Sequence, residues 1–368
     1  MTSESAKLTP VQMARAAEQA SRFTKPGFWV QIALLACLLA EPLLVPSFRV
    51  MDVAAKIVIF AVLVASYDLL LGYTGIFSMA HALFFGIGAY SLGLIIHHSG
   101  GAVWWHLPAA AVLAVLISGV VSLLIAIFSL RLKALYFVVM TLALAQFGEI
   151  LAMQMYNLTG GEDGVSFKLP GILDVAYKGG AFLGVQINGR MITYYLVVLA
   201  AALLFVGLVR FVRSPTGRVL KSIRDNEQRS TALGYKTFNY QVLSNVFAST
   251  IAALAGVLYA AWVRYVDPES AMATGIMLNV ILMLIIGGLG TMYGSIVGTA
   301  FIFLAETWMA DGLKALAGVL PDVGFLQRMT DRWLLYFGIL FVLVVIFFPK
   351  GIVGSIRDYV ARKKETAV

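Results

Sequence analysis

The chain has 368 residues, of which 60% are hydrophobic and only 12% are charged. Soluble domains are about half apolar and about a quarter charged, so this composition excludes an ordinary soluble fold and favours a protein embedded in lipid. The net charge of +8 is explained by basic loops that orient membrane helices, so no nucleic-acid partner is predicted. The single cysteine, Cys37, lies in an apolar run and cannot form an intrachain disulfide.

Membrane-spanning helices are predicted wherever about 20 apolar residues follow one another, because that length crosses about 30 Å of hydrocarbon. In chain order the candidate runs are 28–45, 53–71, 79–97, 104–129, 134–155, 192–212, 239–263, 271–289, 293–310 and 333–349. They predict an all-α polytopic membrane protein of about ten transmembrane helices. The predicted domains are a polar cytoplasmic tail (1–26), a transmembrane domain (27–355) and a basic cytoplasmic tail (356–368).

The distribution of Lys and Arg predicts which side of the membrane each loop faces. With the N-terminus inside, the inner segments are the tail, the turn after Ser129, residues 210–238 and the C-terminus. They hold 4, 2, 7 and 5 of the 27 basic residues, about twice the number left on the other side. Because cytoplasmic loops carry the excess of Lys and Arg, this bias predicts that both termini lie inside.

Two polar segments connect predicted spans on opposite sides of the membrane. The external one, 156–191, is rich in glycine and predicts a turn-rich loop, in which a short hairpin is one option. The cytoplasmic one, 213–237, begins with Ser214 and Pro215, which suit a helix N-cap and first turn. Its apolar residues recur at helical spacing among charged ones, which predicts one short amphipathic helix closed by Gly234.

Glycines cluster at two points in the apolar sequence. The predicted helix-break positions are Gly72, Gly75, Gly86, Gly88, Gly287, Gly288 and Gly290. Glycine-interrupted helices in corresponding places of two halves often mark a transport site built from broken helices. The alternative is that small residues let neighbouring helices pack closely, and both interpretations stay open.

Motifs for catalysis are absent from the sequence. It contains no P-loop, no zinc-ligand spacing and no G-x-S-x-G elbow, so we predict that the chain is not an enzyme and holds no cofactor or metal. The ionisable residues singled out within the spans are Glu41, Asp68, His81, Glu149 and Glu306. They form no connected proton relay, which disfavours a proton-coupled carrier.

Several motifs resemble one family. They are LLLGYTGIFSMAHALFFGIGAY (69–90), SPTGRVLKSIRDNEQRSTALGYK (214–236), IIGGLGTMYGSIVGTAFIF (285–303), WLLYFGILFVLVVIFFPKGIVG (333–354) and LTGGEDGV (158–165). Taken in their order along the chain, they resemble the LivM-type permease subunits of ABC importers for branched-chain amino acids, whose relatives carry urea, amides and aromatic acids. The resemblance covers most of residues 50–355.

The resemblance implies a set of partners and a location. They are a second, homologous (LivH-like) permease subunit, two ABC ATPase subunits that use ATP and Mg²⁺, a periplasmic or extracellular solute-binding protein, and the lipid of a bacterial cytoplasmic (inner) membrane. It also implies that the 214–236 stretch is the coupling helix through which the ATPases move the permease. The implied coupling residues are Arg218, Arg224, Glu227, Ala232, Leu233 and Gly234. A solvated linker that pairs with anionic lipid headgroups is the alternative.

A substrate pathway is also implied by the resemblance. Its candidate residues are Ser78, His81, Tyr90, Thr141, Gln146 and Asn279. For His81, a structural hydrogen bond to loop backbone is the alternative to a substrate contact. Asp68 stands where the family usually has Asn, which puts a neutral amide role there in doubt.

The substrate expected first is a branched-chain amino acid, with urea or short amides and aromatic carboxylates as alternatives. Two other classes of function stay open, a stand-alone secondary carrier or channel and a membrane scaffold without transport. Irregular backbone at membrane depth argues against the scaffold, because a scaffold does not need it.

Overall fold

The computed structural model of the protein describes residues 41–42, 47–130, 134–182, 185–319 and 332–356. The chain divides into two compact units, residues 1–51 and 52–368. In the first unit, residues 41–42 are helical and Phe48 begins the first long helix. The predicted tail 1–26 and the rest of the predicted span 28–45 fall outside the described residues.

Helices make up most of the described chain. Their bounds are α1 (Phe48–Asp68, continued by the π-helical turn Leu69–Thr74), α2 (His81–His98), α3 (His106–Ser129), α4 (Ala134–Gln154), α5 (Gly189–Arg213), α6 (Pro215–Asp225), α7 (Glu227–Ala232), α8 (Thr237–Val263), α9 (Thr274–Gly287), α10 (Met292–Val319) and α11 (Trp333–Phe347). Short helical turns also occur at Tyr156–Thr159, Gly161–Asp163, Gly171–Leu173 and Pro268–Ala271.

Seven helical stretches among the described residues are long and apolar enough to cross a membrane. They are Phe48–Thr74, His106–Ser129, Leu135–Gln154, Gly189–Arg213, Thr237–Val263, Pro268–Gly287 and Leu335–Ile356. Large apolar side chains such as Phe128, Leu135 and Leu203 are mostly exposed on these helices, as side chains in contact with lipid would be. The chain is therefore an all-α, multi-pass membrane protein, and the count of about ten spans stays a prediction.

Two segments differ from their predicted form. The helix of the predicted run 271–289 begins three residues late, at Thr274, because Pro268–Ala271 form a separate turn that Asp267 caps. The segment 213–237 was predicted as a single helix, and this is wrong. Asn226 leaves the helical conformation (φ −162°, ψ 104°), so the segment forms α6 and α7.

Helix α8 packs against α2 and α3 and forms the centre of the larger unit. The approach of α2 and α8 is so close that a Cβ at Gly88 would collide with the carbonyl oxygen of Ala253. In the same way, a Cβ at Gly256 would collide with the carbonyl oxygen of Phe85. Small residues at such crossings let helix backbones approach in the membrane, where packing replaces the hydrophobic effect.

The predicted breaks at Gly86 and Gly88 are therefore wrong. Both glycines lie inside the regular helix α2, where their lack of a side chain makes room for a neighbour. Gly86 makes room for Met272, and Gly88 makes room for the backbone of α8. The packing interpretation of these two glycines is the correct one.

The polar segment 156–191 carries strands as well as turns. Strands β2 (Lys178–Phe182) and β3 (Val185–Asn188) form the short hairpin that was one option for it. Strand β1 (Val165–Ser166) pairs antiparallel with β4 (Tyr265–Val266), which directly follows α8. The Tyr265 hydroxyl also donates to the Asp163 carbonyl oxygen at 2.9 Å. The segment is thus anchored to the end of α8.

Candidate functional site

The amphipathic segment, residues 214–232, consists of α6 and α7 and connects the long helices α5 and α8. The Ser214 hydroxyl accepts a hydrogen bond from the Gly217 N–H at 3.3 Å, and Pro215 occupies the first turn, as a helix N-terminus favours. Leu220 and Ile223 are buried on one face of α6. The predicted start and amphipathic character of this segment are confirmed.

The two short helices are held together as one body. The Asn226 side chain accepts a hydrogen bond from the Arg229 N–H at 2.8 Å, and the Ser222 and Ser230 hydroxyl oxygens lie 2.8 Å apart. Gln241 of α8 donates to Glu227 at 3.2 Å. Side-chain hydrogen bonds therefore attach α7 to both α6 and the beginning of α8.

Two glycine-rich turns lie beside this segment. The π-helical turn after α1 ends at Gly75, whose φ of 80° is left-handed and suits glycine. The turn between α9 and α10 has left-handed φ values of 113° at Gly288 and 72° at Gly290. The predicted breaks at these positions are therefore helix ends and turns between successive helices, and they do not interrupt a span.

The two turns and the amphipathic segment meet at one point, which we call the glycine junction (Asp68, Gly72, Arg224 and Gly290). The Asp68 Oδ1 atom accepts a hydrogen bond from the Gly290 N–H at 2.7 Å. The Arg224 guanidinium donates to the Gly72 carbonyl oxygen. Glycine is needed here because a Cβ at Gly72 would lie only 2.5 Å from the backbone nitrogen of Gly290 and would also collide with the Asp68 side chain.

A cation–π contact strengthens the attachment of α6. The Lys221 ammonium lies 4.9 Å from the centroid of the Tyr73 ring, within the range of such contacts. Lys221 and Arg224 both project from α6 onto the turn that ends α1. The junction thus joins α1, α6 and the α9–α10 turn through contacts between residues far apart in sequence.

The other predicted coupling residues lie at the surface of the segment, as Arg224 itself does. Arg218, Glu227, Ala232, Leu233 and Gly234 are exposed. The Leu233 side chain is 68% exposed. Arg224 differs from these residues because its guanidinium is directed to the backbone of the same chain.

The six predicted pathway residues do not form one site. His81 is buried and its Nε2 lies 2.8 Å from the Ser66 hydroxyl, which makes it part of a helix contact. Ser78 and Thr141 are buried near each other, and the Thr141 hydroxyl accepts from the Met79 N–H at 3.0 Å.

The remaining pathway candidates lie in three separate places. Gln146 of α4 donates to Glu149 at 3.1 Å and also to Thr274. Tyr90 lines a large apolar cavity between α2, α3 and α4, and Asn279 lines a different, polar cavity. Lys56 lines that polar cavity too and was missed, although a charged residue inside a predicted span is itself a signal of function.

The fold and the junction define a multi-pass membrane protein whose surface segment is attached to the ends of several spans. Among the described residues, no cluster of His, Cys, Asp or Glu has the composition of a metal site. The chain belongs to the family of branched-chain amino acid transport system permease components, whose profile matches residues 49–347. No catalytic activity is indicated for a permease of this kind.

Curated relatives match nearly the whole chain. It is 26% identical over 350 residues to the high-affinity branched-chain amino acid transport system permease protein LivM of Salmonella typhimurium, covering 91% of this chain and 77% of the relative. The LivM protein of Escherichia coli is 25% identical over the same shares. A probable LivM of Methanocaldococcus jannaschii is 26% identical over 66% of this chain and 67% of its own length. No solved structure matches significantly.

Replacing Asp68 tests the hydrogen bond that holds the junction together. Asp68→Ala leaves the half-buried Gly290 N–H without its acceptor, so we expect a loss of about 1–3 kcal/mol in unfolding free energy. Asp68→Asn keeps a side-chain oxygen as acceptor and is expected to lose less than half as much. Thermal unfolding of the purified protein in detergent measures the difference. Equal losses in the two variants would show that the acceptor does not matter.

Proposed function

We propose that this chain is the transmembrane permease subunit of an ATP-driven importer of branched-chain amino acids in a bacterial cytoplasmic membrane. The proposal includes a second, homologous permease subunit, two ATPase subunits that use ATP and Mg²⁺, and an external solute-binding protein. Family membership and relatives named as branched-chain amino acid permeases support it. The observation that carries it is the attachment of the amphipathic segment, through Arg224, to the turn that ends α1. The end of α1 in turn contacts the turn between α9 and α10.

The geometry suggests how hydrolysis in a partner would reach the pathway. The exposed side of the segment, with Arg218, Glu227 and Leu233, offers charged and apolar contacts to an ATPase groove. Because Arg224 attaches the segment to Gly72, movement of the segment would pull on the end of α1. That movement also reaches the α9–α10 turn, since Asp68 binds Gly290. The junction would then act as the inner gate.

The proposed topology places the amphipathic segment and both chain termini in the cytoplasm. The excess of basic residues on that side supports it. The strand-bearing segment 156–191 then lies outside, where a binding protein would dock. The two assignments are checked with the variants Leu233→Cys and Lys178→Cys. Each introduced cysteine is labelled from either side of right-side-out vesicles. Labelling of position 233 from outside would reverse the topology.

Reconstitution tests the function itself. The chain is co-expressed with the second permease, the ATPases and the binding protein of its own system, purified, and placed in proteoliposomes. We expect uptake of radiolabelled L-leucine only with hydrolysable ATP and binding protein, and no uptake by this chain alone. The matched control contains a non-hydrolysable ATP analogue. Uptake by the chain alone, without ATP, would identify a stand-alone carrier or channel instead.

A further inference from the structure

A polar cavity of about 180 Å³ lies between α1, α8, α9 and α10. Its polar lining residues are Lys56, Tyr259, Asn279 and Glu306. Asn279 is exposed, so the cavity opens on the surface of the chain. Charged side chains within membrane-crossing helices often mark a substrate or ion pathway.

The two charges of the cavity lie at similar heights above the glycine junction. Lys56 precedes Asp68, the last α-helical residue of α1, by twelve residues, and Glu306 follows Met292, the first residue of α10, by fourteen. With a rise of 1.5 Å per residue, they lie about 18 Å and about 21 Å along their helices from the ends nearest the junction. The cavity therefore belongs to the far half of the span, on the other side of the proposed gate from the amphipathic segment.

Lys56 is held in place by a neighbouring carboxylate. Its ammonium lies 2.8 Å from the Asp52 Oδ2 atom, one helical turn away. The Asp52 Oδ1 atom accepts a hydrogen bond from the Trp262 indole N–H at 2.9 Å, which fixes the carboxylate. An ammonium group keeps further donors after such a pairing, so Lys56 can still bind an anionic group in the cavity.

The rest of the wall is apolar and aromatic. It consists of Phe60, Ile276, Met283 and Phe303. The Phe60 ring centroid lies 5.1 Å from that of Phe303 and 6.1 Å from that of Tyr259, at edge-to-face angles that favour a rigid wall. The cavity is smaller than the roughly 300–1,000 Å³ of ordinary drug-sized pockets, so its ligand must be a small molecule.

We infer that this cavity binds a zwitterionic α-amino acid with a small apolar side chain during its passage. Lys56 binds the carboxylate, Glu306 binds the ammonium group, and Phe60, Met283 and Phe303 contact the side chain. The inference rests on the proposed function, because it assumes that this chain lines a transport pathway. It also separates the candidate substrates, since urea has no charge to pair and an aromatic carboxylate has no cation for Glu306.

Protection of an introduced cysteine tests the occupant. In the assembled importer, with Cys37→Ala to remove the single native thiol, Asn279→Cys places a thiol at the mouth of the cavity. We expect saturating L-leucine to slow its modification by a charged methanethiosulfonate at least about tenfold, and urea to have no effect. Lack of protection by leucine, or protection by urea alone, would overturn the inference.

Charge removal tests the two assigned contacts. Lys56→Met and Glu306→Gln are each expected to reduce the protection by leucine about tenfold, because a charged hydrogen bond contributes about 1.5–3 kcal/mol. Lys56→Arg keeps the charge and the Asp52 pair and is expected to retain protection. The matched control is Lys314→Gln, an exposed position on the same helix as Glu306. Full protection in both charge-removal variants would contradict the assignment.

The failure of this inference differs from the failure of the proposed function. ATP-dependent leucine uptake without protection of the cysteine leaves the importer in place and overturns the cavity assignment. Leucine uptake that needs neither ATP nor the ATPase subunits overturns the proposed function, whatever the cysteine shows.

Discussion

Arg224→Glu is expected to reduce ATP-dependent leucine uptake at least about tenfold while leaving the importer assembled. The guanidinium donates to the Gly72 carbonyl oxygen, and a charge-assisted hydrogen bond of this kind contributes about 1.5–3 kcal/mol. Glutamate removes the donor and places a negative charge beside a carbonyl oxygen and near Asp68. Uptake and ATP hydrolysis are measured on the same proteoliposomes, and we expect hydrolysis to continue without transport.

Two further variants show whether uptake depends on the Arg224 contact itself or on any positive charge in the segment. Arg229→Gln removes a cation from the exposed end of the same segment and is expected to leave uptake within about twofold of the wild type. Arg224→Lys can donate to one carbonyl oxygen but lacks the planar fork of arginine, so it should retain part of the activity. Normal uptake in an assembled Arg224→Glu importer would show that the junction does not carry the coupling.

Gly88→Ala is expected to lower the thermal unfolding midpoint in detergent by about 2–10 °C. The added Cβ would collide with the Ala253 carbonyl oxygen, and a backbone atom cannot move aside as a flexible side chain can. Overpacking of this kind costs about 1–3 kcal/mol, and each kcal/mol shifts the midpoint by a few degrees. Gly256→Ala makes the reciprocal collision with Phe85 and should have a similar effect.

The same helix provides the control for this experiment. A Cβ at Gly93 would lie 3.4 Å from a Phe167 ring carbon and 3.6 Å from a Val266 methyl, which are ordinary contacts. Gly93→Ala should therefore change the midpoint by less than about 2 °C, because both substitutions reduce backbone freedom in the unfolded chain equally. Equal shifts for Gly88→Ala and Gly93→Ala would mean that the α2–α8 crossing is not tightly packed.

Sequence patterns predicted those parts of the fold that depend only on residues close together in the chain. The length of each apolar run predicted most of the described long helices, and Ser214 with Pro215 predicted where α6 begins. The break at Asn226 was not recognised in the sequence. There α6 ends, and the Asn226 side chain caps the start of α7. The turn Pro268–Ala271, capped by Asp267, lies mostly between two predicted runs and was not predicted.

The candidate site depended on long-range contacts that no local pattern contains. Gly72 and Arg224 are 152 positions apart, and Asp68 and Gly290 are 222 positions apart. The glycines were noticed in the sequence, but glycine serves both turns and close helix crossings. Gly75 and Gly290 proved to need a left-handed backbone, whereas Gly86 and Gly88 proved to need space.

The length of α8 has a mechanical consequence for signalling across the membrane. Its 27 residues form one uninterrupted rod of about 40 Å, from Thr237 beside the amphipathic segment to Val263 beside β4. Since β4 pairs with β1, the docking surface proposed for the binding protein and the surface proposed for the motor are attached to opposite ends of one rod. Docking of a loaded binding protein can therefore displace α8 as a rigid body and so act on the ATPases, without a relay of side chains.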